Sequence, residues 1–267
     1  MRACSVPVKT WSVEFRKDCL GLHMAAFVLV HGHMHGAWCW DKVVPLLEAQ
    51  GHRVVTPELP GRGADATPHV ELTLKRYTDS VAAIIRAMDE PVILVGHSAG
   101  GTVLSELAEL VPEKIAKLIY VAAILLPDGA SLFSTMVAAG PMDPAIAVEG
   151  DSAFIGDAVL GCKRFYNTSG DDDAAWAFSQ LCREPIPPMT QAVHVTAERF
   201  GRVPRAFIQA RYDNAVPFAM QQAMCTATPC DPVIVMDTDH SPFLCQPEAF
   251  ARHLEALATS KKRSRAA

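Results

Sequence analysis

Gly96-His97-Ser98-Ala99-Gly100 is the stretch that most narrows what this chain can fold into. An apolar run, Pro91-Val92-Ile93-Leu94-Val95, leads into it, and a helical pattern follows. That order predicts a strand, a sharp turn with a serine at its tip, and a helix. Small residues around the serine let the chain turn tightly and push the hydroxyl out above a sheet, as in a nucleophile elbow. A G-x-S-x-G string alone occurs often by chance; the strand before it and the helix after it supply the meaning. The bland alternative is a glycine-rich turn whose serine caps a helix.

Strand-like and helix-like segments alternate on both sides of this turn, which predicts an α/β fold with a mostly parallel, doubly wound sheet. Phe27–Val30, Arg53–Thr56, Pro91–Val95, Ile115–Ile124, Ala206–Gln209 and Val233–Met236 read as strands. Asp41–Gln50, Leu72–Met88, the segment after Ser98, Phe218–Met224 and Pro247–Ala258 carry helical apolar stripes. From 125 to 203 the alternation lapses into short helices and loops, so a helical lid is expected to interrupt a core made of 25–124 and 204–260. Residues 1–24 read as an N-terminal extension and 261–267 as a basic tail. Gly61-Arg62-Gly63-Ala64-Asp65-Ala66 superficially matches a dinucleotide fingerprint, but Pro68 interrupts the helix that should begin there.

Of the 267 residues, 50% are hydrophobic and 20% charged, enough for a large core. A net charge of -5 argues against a nucleic-acid surface. No apolar run reaches the roughly 18 residues of a membrane span. The eight cysteines are scattered with no C-x-x-C pair, so free thiols and a cytoplasmic location are expected. Asn167-Thr168-Ser169 fits a glycosylation sequon but is read as coincidence.

A serine hydroxyl is a weak nucleophile and needs a base, an orienter for the base, and donors for an oxyanion. Behind a nucleophile elbow the partners follow in the order serine, acid, histidine. His240 is the candidate base, in the loop after the Val233–Met236 strand and so near the carboxyl edge of the sheet. Asp213 is the candidate acid, after the strand around Phe207; its bland alternative is an Asx turn ahead of Pro217, and Asp128 is its rival. His97 adjoins the nucleophile, but its place in the turn aims its side chain elsewhere. Backbone N–H groups of Ala99 and His33 are the candidate oxyanion donors, His33 lying in the loop after the first strand. His31, His33 and His35 alternate there, yet a two-residue spacing on a glycine loop without a further ligand builds no metal site. No metal or cofactor is expected.

With these residues placed, the chain resembles the α/β-hydrolase superfamily over about residues 25–258. The stretches FVLVHGHMHGAWCWDKVVPLLEAQGHRVVTPELPGRG, GHSAGG, RYDNAVP and DHSPFLCQPEAF are similar to the plant methylesterase and hydroxynitrile lyase family and its bacterial esterase relatives. The resemblance implies a two-step acyl transfer through a Ser-His-Asp triad. Two departures separate the branches. Hydroxynitrile lyases of this family carry a threonine where this chain has Gly32, and a lysine where it has Ser241. Loss of that positive charge favours ester hydrolysis over cyanohydrin cleavage. A small to medium hydrophobic ester is therefore the expected partner, in a pocket that includes Gly32, Phe133, Met136, Trp176 and Phe178. A C–C lyase and a non-enzymatic receptor on a hydrolase fold are the alternatives, and a homodimer is the candidate assembly.

Overall fold

The computed structural model describes residues 24–140 and 143–259. The basic tail, nearly all of the expected N-terminal extension, and Cys4 and Cys19 lie outside the described residues. The core opens with β1 (Ala26–Val30), whose five residues are all buried. An uninterrupted apolar run of this kind suits a strand covered on both faces. A 3-10 turn (Ala37–Trp40) leads to α1 (Val44–Glu48), shorter than the expected Asp41–Gln50 because Pro45 sits in its first turn. Gly51, at φ 84°, then reverses the chain into β2 (Arg53–Val55). Thr73 caps α2 (Leu74–Arg86), its hydroxyl accepting from the Arg76 N–H. Next come β3 (Val92–His97), α3 (Gly100–Leu110) and β4 (Ile115–Val121).

Between β4 and the next core strand lies an insertion built from α4 (Leu132–Ala139), β5 (Ala147–Glu149), β6 (Ser152–Phe154), α5 (Ala158–Phe165), α6 (Asp171–Gln180), β7 (Glu184–Pro185) and α7 (Pro187–Thr190). The core then closes with β8 (Arg205–Ala210), α8 (Phe218–Ala227), β9 (Val233–Met236), α9 (Pro242–Cys245) and α10 (Pro247–Thr259). The main sheet runs β2-β1-β3-β4-β8-β9, with every neighbouring pair parallel. One face packs on α2, α3 and α8 through Tyr77, Val81, Ile85, Leu104, Leu107 and Met224. The other packs on α1 and α10 through Leu47, Phe250, Leu254 and Leu257. Helices on both faces make the sheet doubly wound, as expected. Among the described residues no helix is long and apolar enough to cross a membrane.

The insertion departs from the expected helices and loops. It contains an antiparallel sheet in the order β5-β6-β7. Gly150 (φ 57°) and Asp151 form the two-residue turn between Glu149 and Ser152, a sequence signal for a tight hairpin. Strands of three residues are too short for alternation to reveal them.

The start of α3 is pressed onto neighbouring backbone. A Cβ on Gly100 would lie 2.8 Å from His31 O, and one on Gly101 would lie 2.2 Å from Ile124 O. Neither obstacle is a side chain that could swing aside. Gly101→Ala is accordingly expected to cost about 1–3 kcal/mol of stability through overpacking. Gly156→Ala serves as the contrast, since its new Cβ would meet only the Phe154 ring at 3.6 Å. It should change stability by less than about 0.5 kcal/mol. Urea unfolding of the two variants checks both values.

Candidate active site

Ser98 sits between β3 and α3 at φ 51°, in the left-handed region that non-glycine residues seldom occupy. Its own backbone pins it there. The N–H donates to Val121 O at 3.1 Å, and the carbonyl accepts from Gly101 N (3.0 Å) and Ile124 N (2.9 Å). The strained turn is therefore held by the chain that leaves β4 and by the helix it starts.

The candidate acid and base meet. His240 Nδ1 and Asp213 Oδ2 are 2.8 Å apart, and both side chains are buried. The Asx turn weighed as the alternative for Asp213 is present as well. Oδ1 accepts from Ala215 N (2.7 Å) and Val216 N (2.8 Å), which leaves Oδ2 for the imidazole. Gln221 on α8, which no sequence signal marked, donates to Oδ2 at 3.1 Å and also bonds Ala210 and Val216. The carboxylate is thus fully engaged and fixed in orientation. The rival Asp128 is exposed and accepts from Val195 N, remote from His240.

His97 has a role beyond pointing away. Its Nε2 donates to His240 O at 2.9 Å, and the two rings lie 4.5 Å apart. Burial, and then the neighbouring His240, push its pKa well below the ordinary value, so it stays neutral. The His240 loop is also tied to the insertion. Asp239 accepts from Thr168 N and Ser169 Oγ, both at 2.9 Å, and donates its own N–H to Thr168 Oγ1. Asn167 Nδ2 donates to Tyr212 O, so all three residues of the sequon serve this joint.

Two of the three alternating histidines, His31 and His35, brace backbone. His31 Nε2 accepts from Leu59 N (3.2 Å), which makes Nδ1 the donor to Gly32 O (2.9 Å). His35 donates from Nδ1 to His33 O (2.8 Å) and accepts the Tyr166 hydroxyl at Nε2 (2.9 Å). Burial, the largest influence, lowers the His35 pKa to about 3. Gly32 packs against the serine itself: a Cβ there would lie 2.7 Å from Ser98 Cβ.

Glu184, at β7, and Arg62, after β2, form a buried ion pair that sequence reasoning missed. Their separation of 122 positions leaves no local pattern to find. Burial alone would raise the Glu184 pKa, but Arg62 and then His33 outweigh it and hold the carboxylate below its usual range. Glu184 Oε2 accepts the Met34 N–H at 2.6 Å, and Met34 O accepts from Cys182 N at 2.9 Å. The insertion thereby grips the loop after β1 at a residue with φ 61°.

A cavity of about 320 Å³ opens over Ser98, His33 and Ala99. Phe133 and Met136, two of the candidate pocket residues, line it together with Ile186, Met189, Val216 and Met220. Trp176 and Phe178 do not, which corrects their assignment to the pocket. Trp176 is 41% exposed and packs edge-on against Trp38, while Phe178 fills the space left by Gly161 of α5. The two α6 aromatics thus cover Trp38 and α5 instead of lining the cavity.

Residues 27–253 match the alpha/beta hydrolase family. Methylesterase 2 of Arabidopsis thaliana is 33% identical over 251 residues, which cover 87% of this chain and 95% of that protein. Putative methylesterase 13, chloroplastic, from the same plant is 32% identical over 255 residues, and the chain spans only 56% of its length. The crystal structure of polyneuridine aldehyde esterase superposes with a TM-score of 0.80 at 27% identity, covering 88% of this chain and 99% of that one. A pyrethroid hydrolase from Sphingobium faniae JZ-2 gives 0.77 at 26% identity, over 89% and 98%. The chain belongs to the alpha/beta hydrolase family, within its plant methylesterase group.

The neutral histidines predict acid sensitivity. His35 binds its proton near pH 3 in the folded chain, against an ordinary value of 6.5. The unfolded chain therefore holds more protons between those limits. The stability contributed by neutral His35 is complete above about pH 6.5 and lost as pH falls toward 3; burial shifts His33 and His97 the same way. The urea midpoint should fall on acidification from pH 7 to 4. His35→Asn should flatten that slope, by up to about 1.4 kcal/mol per pH unit.

Proposed function

We propose that the chain is a serine carboxylesterase acting on small to medium hydrophobic esters. One observation carries this reading: a buried 2.8 Å Asp213–His240 contact, joined through His97 to a serine held at φ 51° that opens into one largely apolar cavity. Ser98 is the nucleophile. His240 takes its proton as Oγ attacks the ester carbonyl, and Asp213 keeps the imidazole oriented and stabilises its cation. The backbone N–H groups of His33 and Ala99 receive the oxyanion, each contributing about 3 kcal/mol to the barrier reduction. His240 then protonates the departing alcohol and activates the water that releases the acid. Membership of the methylesterase group supports the ester chemistry. The six described cysteines are all free thiols, which fits a reducing compartment such as the cytoplasm.

Two positions weigh against cyanohydrin cleavage. Gly32 packs so closely on Ser98 that a threonine there would have to displace it. Ser241, buried behind His240, supplies no positive charge for a leaving cyanide.

Hydrolysis of p-nitrophenyl acetate and butyrate tests the assignment. Ser98→Ala and His240→Ala should each lower kcat by at least about 10³-fold, and Asp213→Asn by a comparable factor. A phosphonate ester should add its mass to the native chain and not to Ser98→Ala. Turnover that survives Ser98→Ala would overturn the proposal, and cyanide release from mandelonitrile would promote the lyase.

A further inference from the structure

The cavity is polar on the side of His33 and Glu184, as it is on the side of the Arg164–Asp143 pair. Behind the loop after β1 lies a second, smaller space of about 10 Å³, lined in part by His33, Tyr77, Thr102 and Glu184. That is room for a single water-sized group. His33, Ala99, Leu132 and Glu184 border both spaces, so the recess shares a wall with the cavity over Ser98.

The recess holds unmet hydrogen-bonding capacity. Glu184 Oε2 is committed to Arg62 and to the Met34 N–H, but Oε1 is buried with no partner. His33 Nε2 stands 3.7 Å from Oε1, beyond hydrogen-bond reach. The Tyr77 hydroxyl is also buried, beside the Arg62 guanidinium. A charged oxygen kept dry without a donor is costly, and a native site that tolerates one is usually completed by something else. The missing group must donate to Glu184 Oε1, be uncharged or it would unbalance the Arg62 pair, and be no larger than a water. A hydroxyl meets all three conditions, and it can also accept from His33 or Tyr77. A methyl group offers no donor, and a carboxylate would face Glu184 with like charge.

We infer that this recess is a specificity subsite for an uncharged hydroxyl carried by the ester, with Glu184 as the residue that recognises it. The inference rests on the esterase reading of the cavity. A trapped water is the competing occupant, and it would give no preference among substrates.

Two isosteric pairs test it, each exchanging one hydroxyl for a methyl. Methyl 3-hydroxybutyrate against methyl 3-methylbutyrate probes the acyl side, and 2-hydroxyethyl butyrate against propyl butyrate probes the alcohol side. The native chain should favour the hydroxylated member of at least one pair by tenfold or more in kcat/KM, the scale of a hydrogen bond to a buried charge. Glu184→Gln should shrink that ratio several-fold. General damage to the site lowers both members alike and leaves the ratio unmoved. Calorimetric binding of the same pairs to Ser98→Ala gives the preference independently of turnover. Ratios within twofold for both pairs, in turnover and in binding, would overturn the subsite and leave a water as the occupant. A preference that Glu184→Gln leaves intact would overturn the role of Glu184. No turnover together with a retained binding preference would overturn the esterase reading and uphold the subsite.

Discussion

The contact on which the rest depends is the seating of α3 against bare backbone. At Gly100 and Gly101 the helix meets the carbonyls of His31 and Ile124 at distances that no Cβ would allow. This approach lets β3 turn into α3 across only Ser98 and Ala99 and holds Ser98 in the left-handed region. Other parts of the site are referred to that point. The loop after β1 passes within contact of Ser98 at Gly32, and His97, one residue before the serine, holds the carbonyl of His240. Asp213 and His240 leave β8 and β9 at the same carboxyl edge of the sheet, where open α/β sheets place their ligands.

The polar groups around the serine are buried, and their protonation follows from their partners. Asp213 accepts bonds at both oxygens and from both backbone and side-chain donors, so its carboxylate cannot rotate. His35 is kept neutral by burial, and His31 and His35 both act as struts for the loop through their ring nitrogens. Arg62 and Glu184 are the exception, two charges kept ionised by each other. Such a pair is weak as a source of stability, because desolvation offsets most of the attraction. Its value lies in where it holds Met34.

What was legible in the sequence was what local pattern encodes. Continuous apolar runs marked the sheet, the small residues around Ser98 marked the elbow, and chain order placed Asp213 and His240 at the ends of their strands. The parts that escaped depend on distant partners. Arg62 reads as a loop arginine until Glu184 is beside it, and Gln221 reads as a surface position on α8 until Asp213 is beneath it. In the insertion, apolar residues face either the cavity or their own neighbours, and composition does not distinguish the two. Phe133 and Met136 took the first course, Trp176 and Phe178 the second.

The ion pair that joins Arg62 to Glu184 has a consequence for folding. One partner belongs to the loop after β2 and the other to the insertion, so the pair fixes where the insertion sits against the loop whose Met34 N–H it holds. Opening the insertion would return both charges to water, so the pair adds little to the cost of opening and much to the choice of one seating. With Asp239 tied to Thr168 at the far end of the site, the insertion is riveted at both margins. These ties set the register of the insertion against the sheet. The roof of the cavity is thus indexed to its floor by polar ties as well as by apolar packing.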